Sequence, residues 1–361
     1  MNELSAIVLY AGGLIGLAFG AVSLLSGFCL LSGLRGWWIE RDGRMIRTFA
    51  LAVAVAVAAT QALAAGGFVE LGKSLYLQPS FSPALILLGG LLFGYGMVLA
   101  NGCASRAVVL LGRGNLRSLL VVMTIAVTAE ITLKGLIAPA RLAFLNWSIL
   151  TPPAVSVSAL LSSAGLDGGW AERLAVIAVS GTLLVFALTH ARFRRSPGQL
   201  AAGIAIGLLI SAGWFATGYL GADDFNPAPV ASLTFVAPLA DTLQYMMLST
   251  GLTLSFGVAL AGGTLAGSFF ASLLTRRLQL EGFTSARHML RSIAGAALMG
   301  SGGAMAYGCT IGQGLAGLST LALPSFIAVA GIVAGAWAGL HVPVGARVPG
   351  ITIRAQADAV N

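Results

Sequence analysis

Apolar residues in this chain gather in long unbroken runs, separated by short clusters of polar and basic residues. Runs such as 49–67 and 171–189 reach nearly the ~20 residues a helix needs to cross ~30 Å of hydrocarbon. The pattern predicts spans near 7–33, 48–66, 83–101, 118–138, 171–190, 199–219, 251–274, 289–308 and 324–341. Shorter apolar pieces lie near 104–112, 153–163, 231–248 and 310–321. Interrupted by Gly and Pro and too short to cross, they are expected to enter the protein, turn back and line a pathway. The expected fold class is therefore an all-α integral membrane protein, with about nine transmembrane helices plus short re-entrant or broken helices.

Composition narrows the function. Hydrophobic residues make up 57% of the 361 and charged residues 9%, against roughly 25% charged in a soluble domain. A soluble enzyme is excluded. The 48 glycines suit membrane helices whose backbones approach closely. Met1-Asn2-Glu3-Leu4 supplies no basic n-region and no small-residue cleavage site follows, so the first run is expected to be a retained helix.

The net charge of +8 would suit nucleic acid, but its distribution does not. Sixteen of the twenty basic residues, Arg35, Arg41, Arg44, Arg47, Arg106, Arg113 and Arg117 among them, fall on one face of the expected topology. Lys73, Lys134, Arg141 and Arg173 fall at or near the other, with Glu70, Asp167, Glu172, Asp223 and Asp224. This positive-inside bias puts the N-terminus outside and the C-terminus in the cytoplasm of a bacterial inner membrane. Nucleic acid is not an expected partner; the lipid bilayer is.

The chain also repeats itself. Leu92-Phe-Gly94-Tyr-Gly96 through Asn101-Gly102-Cys103 matches Leu298-Met-Gly300-Ser-Gly302 through Tyr307-Gly308-Cys309, with three glycines and the cysteine at identical spacing. A fainter match joins Gly16-Leu-Ala18-Phe-Gly20 to Gly203-Ile-Ala205-Ile-Gly207. In the expected topology the matching spans run in opposite directions, which makes the halves inverted copies of four spans each. We read 1–145 as the first repeat, 146–195 as a connector with the fifth span, 196–345 as the second repeat and 346–361 as a cytoplasmic tail. Inverted repeats of this kind characterise transporters whose substrate sits at the repeat interface.

Residues 84–112 as one straight helix would be ~43 Å long at ~1.5 Å per residue, so a break is expected at Asn101-Gly102-Cys103. Residues 289–321 should break likewise around Tyr307-Gly308-Cys309. After each break a short helix begins, so free N–H groups and a positive dipole end lie beside the cysteine, a setting that suits an anion. The glycines Gly96, Gly102, Gly302 and Gly308, with Asn101, complete this candidate binding set.

Other chemistries fit less well. A single buried cysteine is more often a small hydrophobe, but all three in the chain, Cys29, Cys103 and Cys309, lie at such breaks or at a span's end, which favours function. They lie too far apart in sequence, in apolar surroundings, to suggest a disulfide framework. His190, His288 and His341 are scattered near span ends, so no metal site is expected. Glu130 and Lys134 read as a neutralised bridge on one helix face, Asp241 as a lone acid, and Arg106 as a positive-inside residue that could also attract an anion. Glycine patterns here follow no nucleotide-binding strand, and no cofactor is expected.

On these motifs the sequence resembles the YeeE/YedE sulfur-transport family. Gly102-Cys103 and Gly308-Cys309 carry the resemblance, and Ser26-Gly27-Phe28-Cys29 is similar to the family's third cysteine segment. The resemblance implies an hourglass-shaped carrier in which thiosulfate passes between thiols by weak hydrogen bonds to sulfur, and implicates Cys29, Cys103 and Cys309. Cys29 has no cysteine counterpart in the second half, where Ala216 roughly corresponds. The expected function is uptake of thiosulfate or a related small sulfur anion. The alternative is a sulfur or selenium relay that carries a Cys persulfide to a small soluble sulfur-carrier protein.

Overall fold

The computed structural model describes residues 3–222, 228–283 and 285–341, with side chains from residue 6. The Asp223-Asp224 loop and the tail 346–361, with Arg347 and Arg354, lie outside the described residues.

The helices, in chain order, are α1 (Glu3–Ser26), α2 (Leu30–Arg35), α3 (Arg44–Ala65), α4 (Pro83–Leu99), α5 (Ala104–Gly112), α6 (Leu116–Leu133), α7 (Ala138–Trp147), α8 (Val157–Ser163), α9 (Gly168–Leu188), α10 (Ala191–Arg194), α11 (Pro197–Phe215), α12 (Val236–Met247), α13 (Phe256–Leu274), α14 (Ala286–Met305) and α15 (Leu323–His341). Wider π-helical turns occupy Gly36–Glu40, Ala216–Leu220 and Gly312–Gly317. The described residues contain no extended strand; isolated bridges join Phe81 to Leu150, Asn115 to Glu281 and Ser156 to Ala322.

Local sequence accounts for the helix starts. The side chains of Ser82, Asn115, Ser255 and Ser285 accept hydrogen bonds from the free backbone N–H groups at the heads of α4, α6, α13 and α14. Pro83 and Pro197 stand in first turns, where a missing N–H costs nothing.

Among the described residues, eight helical stretches are long and apolar enough to cross a membrane: Ala6–Glu40, Arg44–Ala65, Pro83–Gly112, Leu116–Leu133, Gly168–Leu188, Pro197–Leu220, Phe256–Leu274 and Leu323–His341. The remaining expected span, near 289–308, is α14. Its 20 residues reach about 30 Å, but Arg287, His288 and Arg291 in its first turns lower its hydropathy. The apolar run 7–33 is not one helix, because it ends α1 at Ser26 and restarts at Leu30. The four short apolar pieces become α5, α8, α12 and the π turn Gly312–Gly317.

Packing rests on backbone contact at glycines. Gly16 and Gly20 of α1 face the carbonyls of Leu260 and Thr264 in α13, while Gly263 and Gly267 face those of Gly13 and Leu17. Gly90 and Gly94 of α4 face Ala328 and Ile332 of α15, and Gly331 and Gly335 face Leu87 and Leu91 in return. Hydrocarbon offers no hydrophobic drive for helix association, so close small-residue packing supplies the cohesion instead. α14 packs on α4 and α6, and α3 on α11 and α9.

α9 is peripheral, exposing Trp170, Leu174, Ile177, Leu184 and Val185 along its length, as a lipid-facing helix must. Its C-terminal end is held by Arg47, whose guanidinium lies 5.2 Å from the Trp37 ring and 4.9 Å from the Phe186 ring. Glu130 and Lys134 do pair, at 3.5 Å. Asp241 is not a lone acid: Lys134 also reaches it at 3.2 Å and Gln244 at 2.6 Å, tying the end of α6 to α12.

Candidate functional site

Three helices stop and restart in the same way, each time just before a cysteine. α1 ends with Gly27 in the left-handed region (φ +69) and a bond from the Phe28 amide to the Ser23 carbonyl at 3.2 Å. α4 ends with Asn101 at φ +59 and a bond from the Gly102 amide to the Met97 carbonyl at 2.9 Å. α14 ends with Tyr307 at φ +56 and a bond from the Gly308 amide to the Gly303 carbonyl at 2.9 Å. These six-to-one bonds are Schellman closures, which satisfy carbonyls orphaned at a helix end.

The next residue is in each case the cysteine, and its carbonyl accepts the first bond of the new helix. Gly33 donates to Cys29 at 3.1 Å, Ala107 to Cys103 at 2.9 Å and Gln313 to Cys309 at 2.8 Å. Cys29 and Cys103 thus sit on the N-caps of α2 and α5, and Cys309 lies just ahead of the π turn Gly312–Gly317, where free N–H groups and the positive dipole end favour negative charge. The left-handed residues at the two matched breaks are Asn101 and Tyr307, not the glycines. Gly102 has an open flank, where a Cβ would meet only Arg106 Cγ at 3.5 Å. Gly308 is tighter, with Gln313 3.2 Å from the same position.

The breaks converge. Cys29 and Cys103 are neighbours, and Cys103 in turn lies beside Thr310 of the third break. All three thiols are free and buried, at 4%, 1% and 0% exposure for Cys29, Cys103 and Cys309. Each has a hydroxyl close by. Ser32 accompanies Cys29, Ser105 Oγ lies 3.3 Å from Cys103 Sγ, and Thr310 follows Cys309 directly. The Gly312 amide donates to Cys309 Sγ at 3.4 Å. No group of three His, Cys, Asp or Glu side chains able to hold a metal occurs among the described residues.

On one side of this line of thiols lies a cavity of about 80 Å³, lined by Tyr76, Gln78, Phe81, Tyr307, Gln313 and Pro324. That is space for a few waters or one small anion. Gln313 is buried and donates to the Ala306 carbonyl, leaving its Oε1 without a partner; the Thr310 and Ser325 hydroxyls are also unpartnered. Such orphaned buried groups are ones that an ordered water or ion would satisfy. Trp214 and Gln61 fix the far end of this break, donating to Ser319 Oγ at 3.0 Å and to its carbonyl at 2.8 Å.

The other side is basic. Arg35, at the end of α2, donates to Asn101 Oδ1 at 2.9 Å and so joins the first break to the second. Arg106, three residues after Cys103, lies over Gly102. The breaks therefore bring together Cys29, Asn101, Gly102, Cys103, Gly308 and Cys309. Gly96 and Gly302 stand apart, in the crossing of α4 and α14, facing Gly295 and Gly89. Ser32, Ser105, Thr310, Tyr76 and Gln313 escape a reading of the sequence alone. The three hydroxyls leave a trace there, since each falls within three residues after a cysteine.

A bundle of spanning helices with three buried thiols on broken helices, between a small cavity and a basic mouth, has the makings of a membrane transporter for a small anion. The chain belongs to the sulphur-transport family, whose model matches residues 25–338. It is also similar to the thiosulfate transporter TsuA of Escherichia coli (strain K12), being 24% identical over 344 residues that cover 91% of this chain and 93% of the relative. It is a multi-pass membrane protein that transports a sulfur-containing anion, and not an enzyme.

Proposed function

We propose that this protein carries thiosulfate, or a closely related small sulfur anion, into the cytoplasm by way of Cys309, Cys103 and Cys29. The observation that carries the reading is the convergence of three identically built breaks, each presenting one thiol. A thiol donates a weak hydrogen bond to soft terminal sulfur, and the N–H groups beside it suit the oxyanion end. Stepwise transfer along three such sites lets the anion cross without ever lying in bare hydrocarbon.

The domain reading is part of the same proposal: 1–145 and 196–345 as inverted repeats about the connector 146–195. The packing supports it. α1 lies on α13 as α11 lies on α3, and α4 lies on α15 as α14 lies on α6. The α4–α14 crossing is reciprocal, with Gly89 opposite Gly302 and Gly96 opposite Gly295. Symmetry is incomplete at Cys29, because α11 passes into the π turn Ala216–Leu220 without a break. The orientation in the bacterial inner membrane follows the charge bias, with the basic mouth and the tail 346–361 in the cytoplasm.

A persulfide relay to a small soluble carrier protein is the second reading, favoured by the adjacency of Cys29 and Cys103. Their burial at 4% and 1% exposure keeps such a partner from reaching either thiol, so the carrier reading is preferred. Labelled thiosulfate uptake by cells lacking other sulfur importers tests it. Uptake restored by this chain supports the proposal, and none in cells whose membranes contain the protein removes it.

A further inference from the structure

Arg106, a basic residue near the thiols, has a guanidinium nitrogen that the membrane charge bias alone does not account for. Five other arginines of this face have an acceptor. Arg35 donates to Asn101, Arg44 to Asp42, Arg47 to the Phe186 carbonyl, Arg113 to the Arg277 carbonyl and Arg117 to the Gly282 carbonyl. Arg44 holds the Asp42 carboxyl below the usual carboxylate range through its hydrogen bond. Arg106 is partly buried, and its Nη1 is shut off from solvent and, among the described residues, donates to nothing.

A buried guanidinium N–H without an acceptor is costly, and an arginine cannot escape by losing its proton. Something with lone pairs is the natural complement. The stem of Arg106 rests on the open flank of Gly102, and its charge lies near Cys29. The guanidinium therefore faces the Cys29–Cys103 pair from the basic side, one helical turn beyond Cys103.

We infer that Arg106 is a specificity-determining residue that binds the oxygens of the transported anion while its terminal sulfur lies against Cys29 and Cys103. The inference rests on the transport reading above and adds what the thiols lack. Weak S–H donors recognise soft sulfur, whereas a planar fork of N–H donors recognises two oxygens and a full negative charge. Arg106 thus selects a sulfur oxyanion of charge −2 over a singly charged anion with the same soft end.

The test compares two labelled anions in liposomes containing purified protein: thiosulfate, a dianion, and methanethiosulfonate, a monoanion that keeps the terminal sulfur. Arg106→Gln should raise the KM for thiosulfate by about tenfold or more, as expected when a charge-assisted hydrogen bond is lost. Its KM for methanethiosulfonate should change by less than about threefold. Equal losses for both anions would mark a structural role and overturn the inference, as would an unchanged thiosulfate KM. Should Arg106→Gln fail to insert, Arg106→Lys decides. A lysine keeps the charge without the fork, so a shifted thiosulfate to methanethiosulfonate ratio supports the inference and an unshifted ratio overturns it. If the unaltered protein moves neither anion, it is the transport reading that has failed.

Discussion

Replacing Gly302 by alanine would place a Cβ 2.6 Å from the Gly89 carbonyl oxygen and 2.6 Å from the Phe93 amide nitrogen. Real Cβ atoms keep at least 3.0 Å from such neighbours, and both obstacles are backbone, so no side chain can swing aside. α4 and α14 would have to separate along the crossing that leads at its two ends to Cys103 and Cys309. Overpacking of this kind costs about 1–3 kcal/mol, of which alanine returns up to about 1 through its better helix propensity. Gly102→Ala supplies the control. Its Cβ meets only the flexible Cγ of Arg106 at 3.5 Å, so its effect on stability should stay within about 0.5 kcal/mol. Melting of the purified proteins in detergent reads the difference, at about 2–4 °C per kcal/mol for chains of a few hundred residues. Gly302→Ala melting with the unaltered protein, or Gly102→Ala losing as much, would refute the account of the crossing.

Two further expectations follow. Arg47→Ala removes the cation held between Trp37 and Phe186, which should loosen the end of α9 at a cost of about 1–2 kcal/mol; hydrogen exchange along Gly168–Leu188 should speed up, and unchanged protection would remove Arg47 as the anchor. A reporter fused after Asn361 should be cytoplasmic and one at Asp223-Asp224 external; the reverse would overturn both the orientation and the inverted reading of the halves.

The spans were legible because their signal is local, a run of apolar residues of the right length. So were the breaks at Cys103 and Cys309, since 84–112 and 289–321 exceed the bilayer and share a motif. The break before Cys29 was hidden, because the apolar run continues through Gly27-Phe28-Cys29 and has no second copy. The left-handed positions were equally hidden. Asn101 and Tyr307 adopt them beside available glycines, and a Tyr at φ +56 is a local choice overruled by its surroundings. Asp241 looked solitary because its partner Lys134 is 107 residues away. The convergence of the thiols and the orphaned nitrogen of Arg106 are tertiary facts, with no trace in spacing or composition.

The central claim is that the thiols at the two matched breaks carry the substrate. Alanine at Cys103 and Cys309 keeps a small buried side chain but removes the S–H donors, so the Cys103→Ala, Cys309→Ala protein should fold and insert normally. Reconstituted into liposomes without any soluble partner, the unaltered protein should accumulate labelled thiosulfate, and the double variant should show none above empty liposomes. Accumulation by the double variant at the full rate would contradict the account, and return Cys103 and Cys309 to the ordinary role of small buried hydrophobes.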